Sequence, residues 1–142
     1  MKSIFKTSAF AMVLATTTSA AMSASADEDV EAKLSGTQEV PAVQTMAKGT
    51  AHFTVEDDMT IKGSVKTEGI KATAAHIHDG AMGQNGGVVV PLTATGANEW
   101  SAPKDAKLTP AQLDKLKAGN LYVNVHSDAH KDGEIRGQLK DD

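Results

Sequence analysis

Apolar and polar residues alternate along most of the chain, with the period of two that is typical of half-buried β-strands. The alternation is clearest in GTAHFTVE at residues 49–56 and in LYVNVH at residues 121–126. Further stretches predict strands at residues 30–36, 59–67, 72–78, 88–92 and 134–139. Residues 95–107 show no clear period, so we expect an irregular segment there.

One short helix is predicted between the last strands. Thr109 is a suitable N-cap, Pro110 fits the first helical position, and Gly119 is placed to end the helix. Leu113 and Leu116 are three residues apart and share one face of it. Several short strands with one small helix predict an antiparallel β-sandwich.

The first 26 residues have the pattern of a secretory signal peptide. Lys2 and Lys6 form a basic start, AFAMVLA at residues 9–15 is a short apolar core, and ASA at residues 24–26 fits the cleavage site. The apolar run is too short to span a bilayer. We therefore expect a periplasmic or secreted domain of residues 27–142, with no membrane attachment after cleavage. Retention as an uncleaved anchor is the alternative.

Charge and composition limit the partners of this domain. Cleavage takes the formal charge from −4 to −6, because the removed segment carries two lysines and no acidic residue. An acidic domain is poorly suited to nucleic acid or anionic lipid. The chain has no cysteine, so disulfides are excluded and a metal site needs nitrogen and oxygen ligands, with methionine sulfur as a soft addition. A homodimer is left open.

The stretch AAHIHDG at residues 74–80 indicates a metal site. Successive side chains of a strand point to opposite faces, so His76 and His78 share one face while Ile77 lies on the other. His126 ends a second strand on the polar face, and neighbouring strands are about 5 Å apart. Three imidazoles without a thiolate suit copper or zinc, and affinity order favours copper. The alternative is that the pair is exposed polar surface.

Four other residues are weaker candidates. His130 follows His126 by four residues in a polar loop and is the candidate fourth ligand. His52 alternates with core residues of its strand, so we expect it to be exposed. Met46 and Met82 lie in loop-like segments and could give an axial sulfur ligand, although loop methionines are usually incidental.

Arg136 is the only arginine of the chain. It shares a strand face with Glu134, and a structural pair with that carboxylate is the expected role. Glu39 is a second candidate partner for the same guanidinium, or bonds a loop. The alternative is that Arg136 steers an anion toward the metal.

Several blocks of the sequence resemble the CHRD domain family, named for its occurrence in chordin. The blocks are LSG (34–36), QEVP (38–41), AHIH (75–78), GGVV (86–89), AGNLYVNVHS (118–127) and GEIRGQL (133–139). They follow one another over nearly all of residues 27–142. The resemblance implies a small bacterial exported protein of a type whose function is mostly unassigned.

The histidine pattern is also similar to that of Cu/Zn superoxide dismutase, a Greek-key β-sandwich of the superoxide-dismutase/immunoglobulin-like kind. There, a His-x-His strand and a later strand end supply copper ligands, which implies that role for His76, His78 and His126. The chain has no equivalent of the bridging histidine, of the zinc-loop cluster or of the cysteine pair. CHRD domains usually lack histidine at the position of His130.

Three functions remain open. The leading hypothesis is an exported copper-binding protein that carries, buffers or stores the ion. The second is a superoxide dismutase-like copper enzyme, in which Arg136 guides the anion. The third is an extracellular interaction module that uses no metal.

Overall fold

The computed structural model describes residues 27–142, and the strands of this part of the chain form one antiparallel sheet. The strands are β1 (Glu28–Ser35), β2 (Lys48–Val55), β3 (Ile61–Glu68), β4 (Ala72–Asp79), β5 (Val88–Pro91), β6 (Thr93–Gly96), β7 (Glu99–Ser101), β8 (Leu121–Ser127), β9 (Ile135–Gln138) and β10 (Lys140–Asp141). A short 3-10 turn, Gly36–Gln38, and the helix α1, Pro110–Lys117, complete it. The prediction of a mostly antiparallel β domain with one short helix is confirmed.

The sheet is nearly closed into a barrel. Its strands run in the order β5, β4, β8, β9, β1, β2, β3, β7 and β6, with β10 beside β1. The two end strands, β5 and β6, are consecutive in the chain and separated only by Leu92, whose amide donates to the Ala75 carbonyl at 2.9 Å. One intervening residue forces the two ends of the sheet together. The described residues therefore form one curved sheet, where the sequence predicted two packed sheets.

Inward-facing side chains fill a single aliphatic core. Ile77 on β4 and Val123 on β8 are cross-strand partners, and both are fully buried in it. Other fully buried members are Val30, Leu34, Phe53, Ile61, Val65, Leu116, Leu121, Ile135 and Leu139. Burying each large aliphatic side chain contributes about 1.5–3 kcal/mol before entropy costs. Burial of these alternating apolar side chains therefore stabilises the strands that carry the histidines.

Residues 95–107 differ from the expectation of an irregular segment. They include β7 and the end of β6, and Trp100 on β7 pairs with Val65 of β3 and packs half-buried on the core. All four residues of β6 are exposed. A strand that short, with no buried face, leaves no alternation in the sequence. The strand β10 was missed because it has only two residues.

The helix is confirmed with its predicted ends. The Thr109 hydroxyl accepts from the Gln112 amide at 3.2 Å, and the Gln112 side chain accepts from the Thr109 amide at 2.9 Å. Leu116 is buried against the core, and Gly119 follows with a left-handed φ of 77°. No helix within residues 27–142 has the length and apolar character needed to cross a membrane. The predicted signal peptide lies outside the described residues.

The polar face of β4, β8 and β9 is covered too, which the sequence did not predict. Tyr122, Asn124, Arg136 and Gln138 point away from the aliphatic core, yet each is at most 6 % exposed. The segments 36–47 and 79–87 lie over them and are joined to each other by the Asn85 amide, which donates to the Val40 carbonyl at 2.9 Å. The histidines therefore lie at the border of a second, polar interior.

Candidate metal centre

Two neighbouring strands position the three strand histidines. The antiparallel pairing of β4 with β8 places Tyr122 opposite His78, and His126 opposite Ala74. His126 is thus the diagonal neighbour of His76 rather than its direct partner. The imidazoles follow one another along the polar face in the order His78, His76, His126. The register therefore brings together three of the four predicted ligands.

The three rings are close enough to share one ion. Their centres are 4.9 Å apart for His76 and His126, 5.4 Å for His76 and His78, and 6.4 Å for His78 and His126. One ring nitrogen of each residue lies within 4.8 Å of the other two. Nδ1 of His76 and Nε2 of His126 are 3.1 Å apart. Two nitrogens on one tetrahedral zinc ion would be about 3.3 Å apart, so this pair already has nearly the spacing of two ligands.

Backbone carbonyls fix the tautomers of two of the imidazoles. Nδ1 of His78 lies 3.0 Å from the Gly86 carbonyl oxygen, and Nδ1 of His126 lies 2.7 Å from that of Lys131. A carbonyl only accepts, so both Nδ1 atoms carry the proton and donate it. Each Nε2 is then the basic nitrogen. Metal-bound histidines are held by such outer hydrogen bonds, which orient the ring for the ion.

Burial favours the neutral form of His76 and His78. Burial lowers the pKa of His78 below 6.5, and the hydrogen bond to Gly86 opposes that fall only in part. Burial, followed by the nearby His126 and His78, lowers the pKa of His76. Nε2 of His78 is buried and has no hydrogen-bond partner among the described residues. Neutral rings with an unpartnered nitrogen are the form in which histidine binds metal ions.

Arg136 binds the 79–87 loop, whose Gly86 carbonyl contacts His78. This corrects the expectation that Arg136 pairs with Glu134. Its guanidinium donates to the Gln84 carbonyl at 2.7 Å, and to the Ala81 carbonyl and the Asn85 side chain at 3.1 Å. Glu134 instead accepts from the hydroxyls of Thr45 and Ser127, at 2.8 Å and 2.7 Å. Arg136 is only 1 % exposed. It therefore cannot guide an anion in from solvent.

Tyr122 links this arginine to His78. Its ring is stacked on His78 with centres 4.9 Å apart and planes within 3°, and the Arg136 guanidinium carbon is 3.5 Å from its centre. Its hydroxyl accepts from the Gly86 amide at 3.1 Å. The carbonyl of the same glycine accepts from His78, so the loop and the ring fix each other.

The remaining candidates lie apart from this cluster. His130 makes a backbone turn with Ser127 and is absent from the set of nitrogens within 4.8 Å, so the structure does not bring it to the three histidines. Met46 and Met82 are 97 % and 66 % exposed. His52 is exposed, as predicted, and its potential ligand atom lies within 4.8 Å of those of Glu31 and Asp142, which are also exposed.

Sequence reasoning missed the groups that support the histidines. The sequence indicated only that Gly86 lies in a loop, and that Tyr122 and Asn124 lie on the outward face of a strand. The signal available for Tyr122 and Asn124 was their phase, since both alternate with buried valines on the strand of His126. Gly86 gave no such signal, because its role depends on where the loop folds back.

The chain matches a known family but no individual relative. The family model described as the CHRD domain matches residues 30–139, which include β2 to β9 and all of β1 except its first two residues, while β10 lies beyond the match. No curated protein and no solved structure matches the chain at a significant level.

Proposed function

The chain belongs to the CHRD domain family, and we propose that it is an exported copper-binding protein that holds one ion through His76, His78 and His126. The observation that carries the proposal is the convergence of three ring nitrogens within 4.8 Å on two adjacent strands. Carbonyl hydrogen bonds already fix the tautomer of two of these rings. The site is therefore arranged for an ion before the ion arrives.

The ligand chemistry favours copper over zinc. The site offers three neutral imidazoles, and a chain without cysteine adds no thiolate. A set of nitrogen ligands binds Cu(II) more tightly than Zn(II) at comparable geometry. The resemblance of the His-x-His strand and the later strand histidine to the copper ligands of Cu/Zn superoxide dismutase supports the same metal.

Exposure and location favour carriage or buffering of the ion. His76 and His126 are half-buried, so the ion would lie near the surface and could be passed on. The secretory pattern of the first 26 residues supports a location in the periplasm or outside the cell. The immediate partner is the metal ion itself.

Copper titration against a competing chelator tests the proposal. We expect one tight site per chain, with nitrogen hyperfine structure in the electron paramagnetic resonance spectrum. His76→Ala, His78→Ala and His126→Ala should each weaken binding by more than about 100-fold, since even outer-shell changes cost 10–100-fold. His52→Ala is the matched control, and a loss of affinity in His130→Ala would identify His130 as a fourth ligand. Tight binding that survives all three ligand variants would contradict the proposal.

A superoxide dismutase-like activity is the second candidate. The half-buried His76 and His126 leave the side of the ion toward solvent accessible to a small anion. Arg136 gives this activity no support, because its guanidinium is bound to the 79–87 loop. The copper-loaded protein should then dismute superoxide faster than the same concentration of free copper. An equal rate would argue against the enzyme and leave only the copper-binding proposal. If the protein binds a partner and chelators do not weaken that binding, the metal-free interaction module is favoured.

A further inference from the structure

Glu39 is a buried carboxyl that leaves one of its two oxygens without a hydrogen-bond partner. It follows the turn Gly36–Gln38 in the segment over the polar face, and its side chain is 6 % exposed. Its Oε1 has no hydrogen-bond partner among the described residues. Burying a polar atom without a partner costs about 1–3 kcal/mol, so its position calls for a physical explanation.

The surroundings of Glu39 point toward the histidines. A Cβ placed on Gly133 would be 2.7 Å from Glu39 Oε1 and 2.8 Å from Asn124 Nδ2, so the glycine makes room for these two groups side by side. The Asn124 side chain is near enough to both groups to lower the pKa of Glu39 and raise that of His78, and on β8 it is the diagonal neighbour of His78. It therefore lies between the carboxyl and the metal-facing imidazole.

The charged group acting on Glu39 is Arg136, on β9. Its hydrogen bonds go to the 79–87 loop, so the guanidinium does not neutralise the carboxylate by direct contact. Asn124 on β8 is neutral, and Gly133 presents only backbone. The carboxylate of Glu134, next to Gly133, already accepts hydrogen bonds from the hydroxyls of Thr45 and Ser127. Burial raises the pKa of Glu39 to about 7.

A divalent ion on three neutral imidazoles has no counter-charge among its ligands. A partly buried charge is stabilised only when an opposite charge lies near it. Glu39 is the buried carboxyl of this face whose oxygen is still unpartnered. We propose, on the basis of the function proposed above, that Glu39 is a positioning residue that supplies the counter-charge: it releases a proton when the ion binds, and Asn124 connects it to His78.

The proton balance is simple. The protonated carboxyl of Glu39 becomes a carboxylate, the ion occupies the histidines, and one proton leaves to the solvent. The net positive charge brought into the polar interior then falls from two to one. No redox step is involved, so zinc should produce the same release as copper.

Calorimetric titration with Cu(II) in buffers of different ionisation enthalpy counts the protons. At pH 6 the wild type should release nearly one proton more than Glu39→Gln, and at pH 7 about half a proton more. At pH 8.5 the counts should agree, while Glu39→Gln binds copper 10–100-fold more weakly. Glu68→Gln is the control, because that exposed carboxylate pairs with Lys48 at the surface, at 3.6 Å. Equal proton counts and affinities in wild type and Glu39→Gln would overturn the inference.

Infrared difference spectra test the same step without a variant. The wild-type protein at pH 6 should show the C=O band of a protonated carboxyl, and saturating Zn(II) should remove it. A band that persists once the ion is bound overturns the role of Glu39 and leaves the copper-binding proposal standing. Failure of the wild type to bind copper or zinc would overturn both.

Discussion

The guanidinium carbon of Arg136 lies 3.5 Å from the centre of the Tyr122 ring. Tyr122 stands on β8 between this arginine on β9 and His78 on β4, on which its ring is stacked. Arg136 also donates to three oxygens of the 79–87 loop, whose Gly86 carbonyl accepts from His78. One buried cation therefore supports both the ring that stacks on the histidine and the carbonyl that sets its tautomer.

Replacing this arginine should destabilise the fold and loosen the histidine. Arg136→Met keeps much of the volume and leaves three loop oxygens without their donor. A hydrogen bond made by a charged group contributes about 1.5–3 kcal/mol, so we expect the loss of three to lower the free energy of unfolding by about 3 kcal/mol or more. Urea denaturation measures the loss, and Lys66→Met, at an exposed strand position, serves as the control. A loss below about 1 kcal/mol would show that the loop does not depend on Arg136.

Two adjacent glycines allow a sharp test of the loop. A Cβ on Gly86 would lie 1.5 Å from the Asp79 carbonyl oxygen, whereas a Cβ on Gly87 would meet nothing within 4 Å. Gly86→Ala should push the loop away and remove the carbonyl from His78. We expect copper affinity to fall 10–100-fold in Gly86→Ala, as for loss of an outer-shell partner, and to stay within about twofold in Gly87→Ala. Equal affinities in the two variants would argue against a role of the Gly86 carbonyl.

Glu39 should leave a signature in the pH dependence of stability. Its pKa is about 7 in the folded protein, above the ordinary 4.5. Between these values the unfolded carboxyl is ionised and the folded one is protonated, so stability from this group falls as the pH rises from 4.5 to 7. The whole change is at most about 3 kcal/mol.

Glu39→Gln removes that contribution. Relative to the wild type, the metal-free variant should gain up to about 3 kcal/mol of unfolding free energy between pH 4.5 and pH 8. The lowered pKa values of His76 and His78 act in the opposite sense, destabilising both proteins below pH 6.5, and they cancel in the comparison. Denaturation curves over this pH range measure the difference. Parallel profiles would mean that Glu39 ionises normally in the folded chain.

The helix cap gives a prediction independent of the metal. Thr109 and Gln112 form a reciprocal pair of hydrogen bonds at the start of α1. Thr109→Ala should cost 0.5–2 kcal/mol of stability, because it removes the acceptor of an otherwise unpaired amide. Thr93→Ala, at an exposed position of β6, is the control. Thermal unfolding should show a lower midpoint for the first variant and no loss of copper affinity in either.

The part of the candidate site that could be read from the sequence is the strand phase. Because side chains alternate along a strand, His76 and His78 had to share a face, and His126 had to lie opposite the valines of its own strand. The helix from Pro110 was similarly readable, since its cap residues are local. His130 carried no phase information, and the structure leaves it outside the cluster.

The tertiary structure decided which groups meet. His78 and His126 lie near the C-terminal ends of strands that run antiparallel, so these ends point in opposite directions, and only the register makes His126 a diagonal neighbour of His76. The burial of Arg136 and Glu39 depends on segments that fold back from elsewhere in the chain. Alternation determines the face of each side chain because it is a property of the local backbone. What covers that face depends on contacts between distant residues, which no local pattern records.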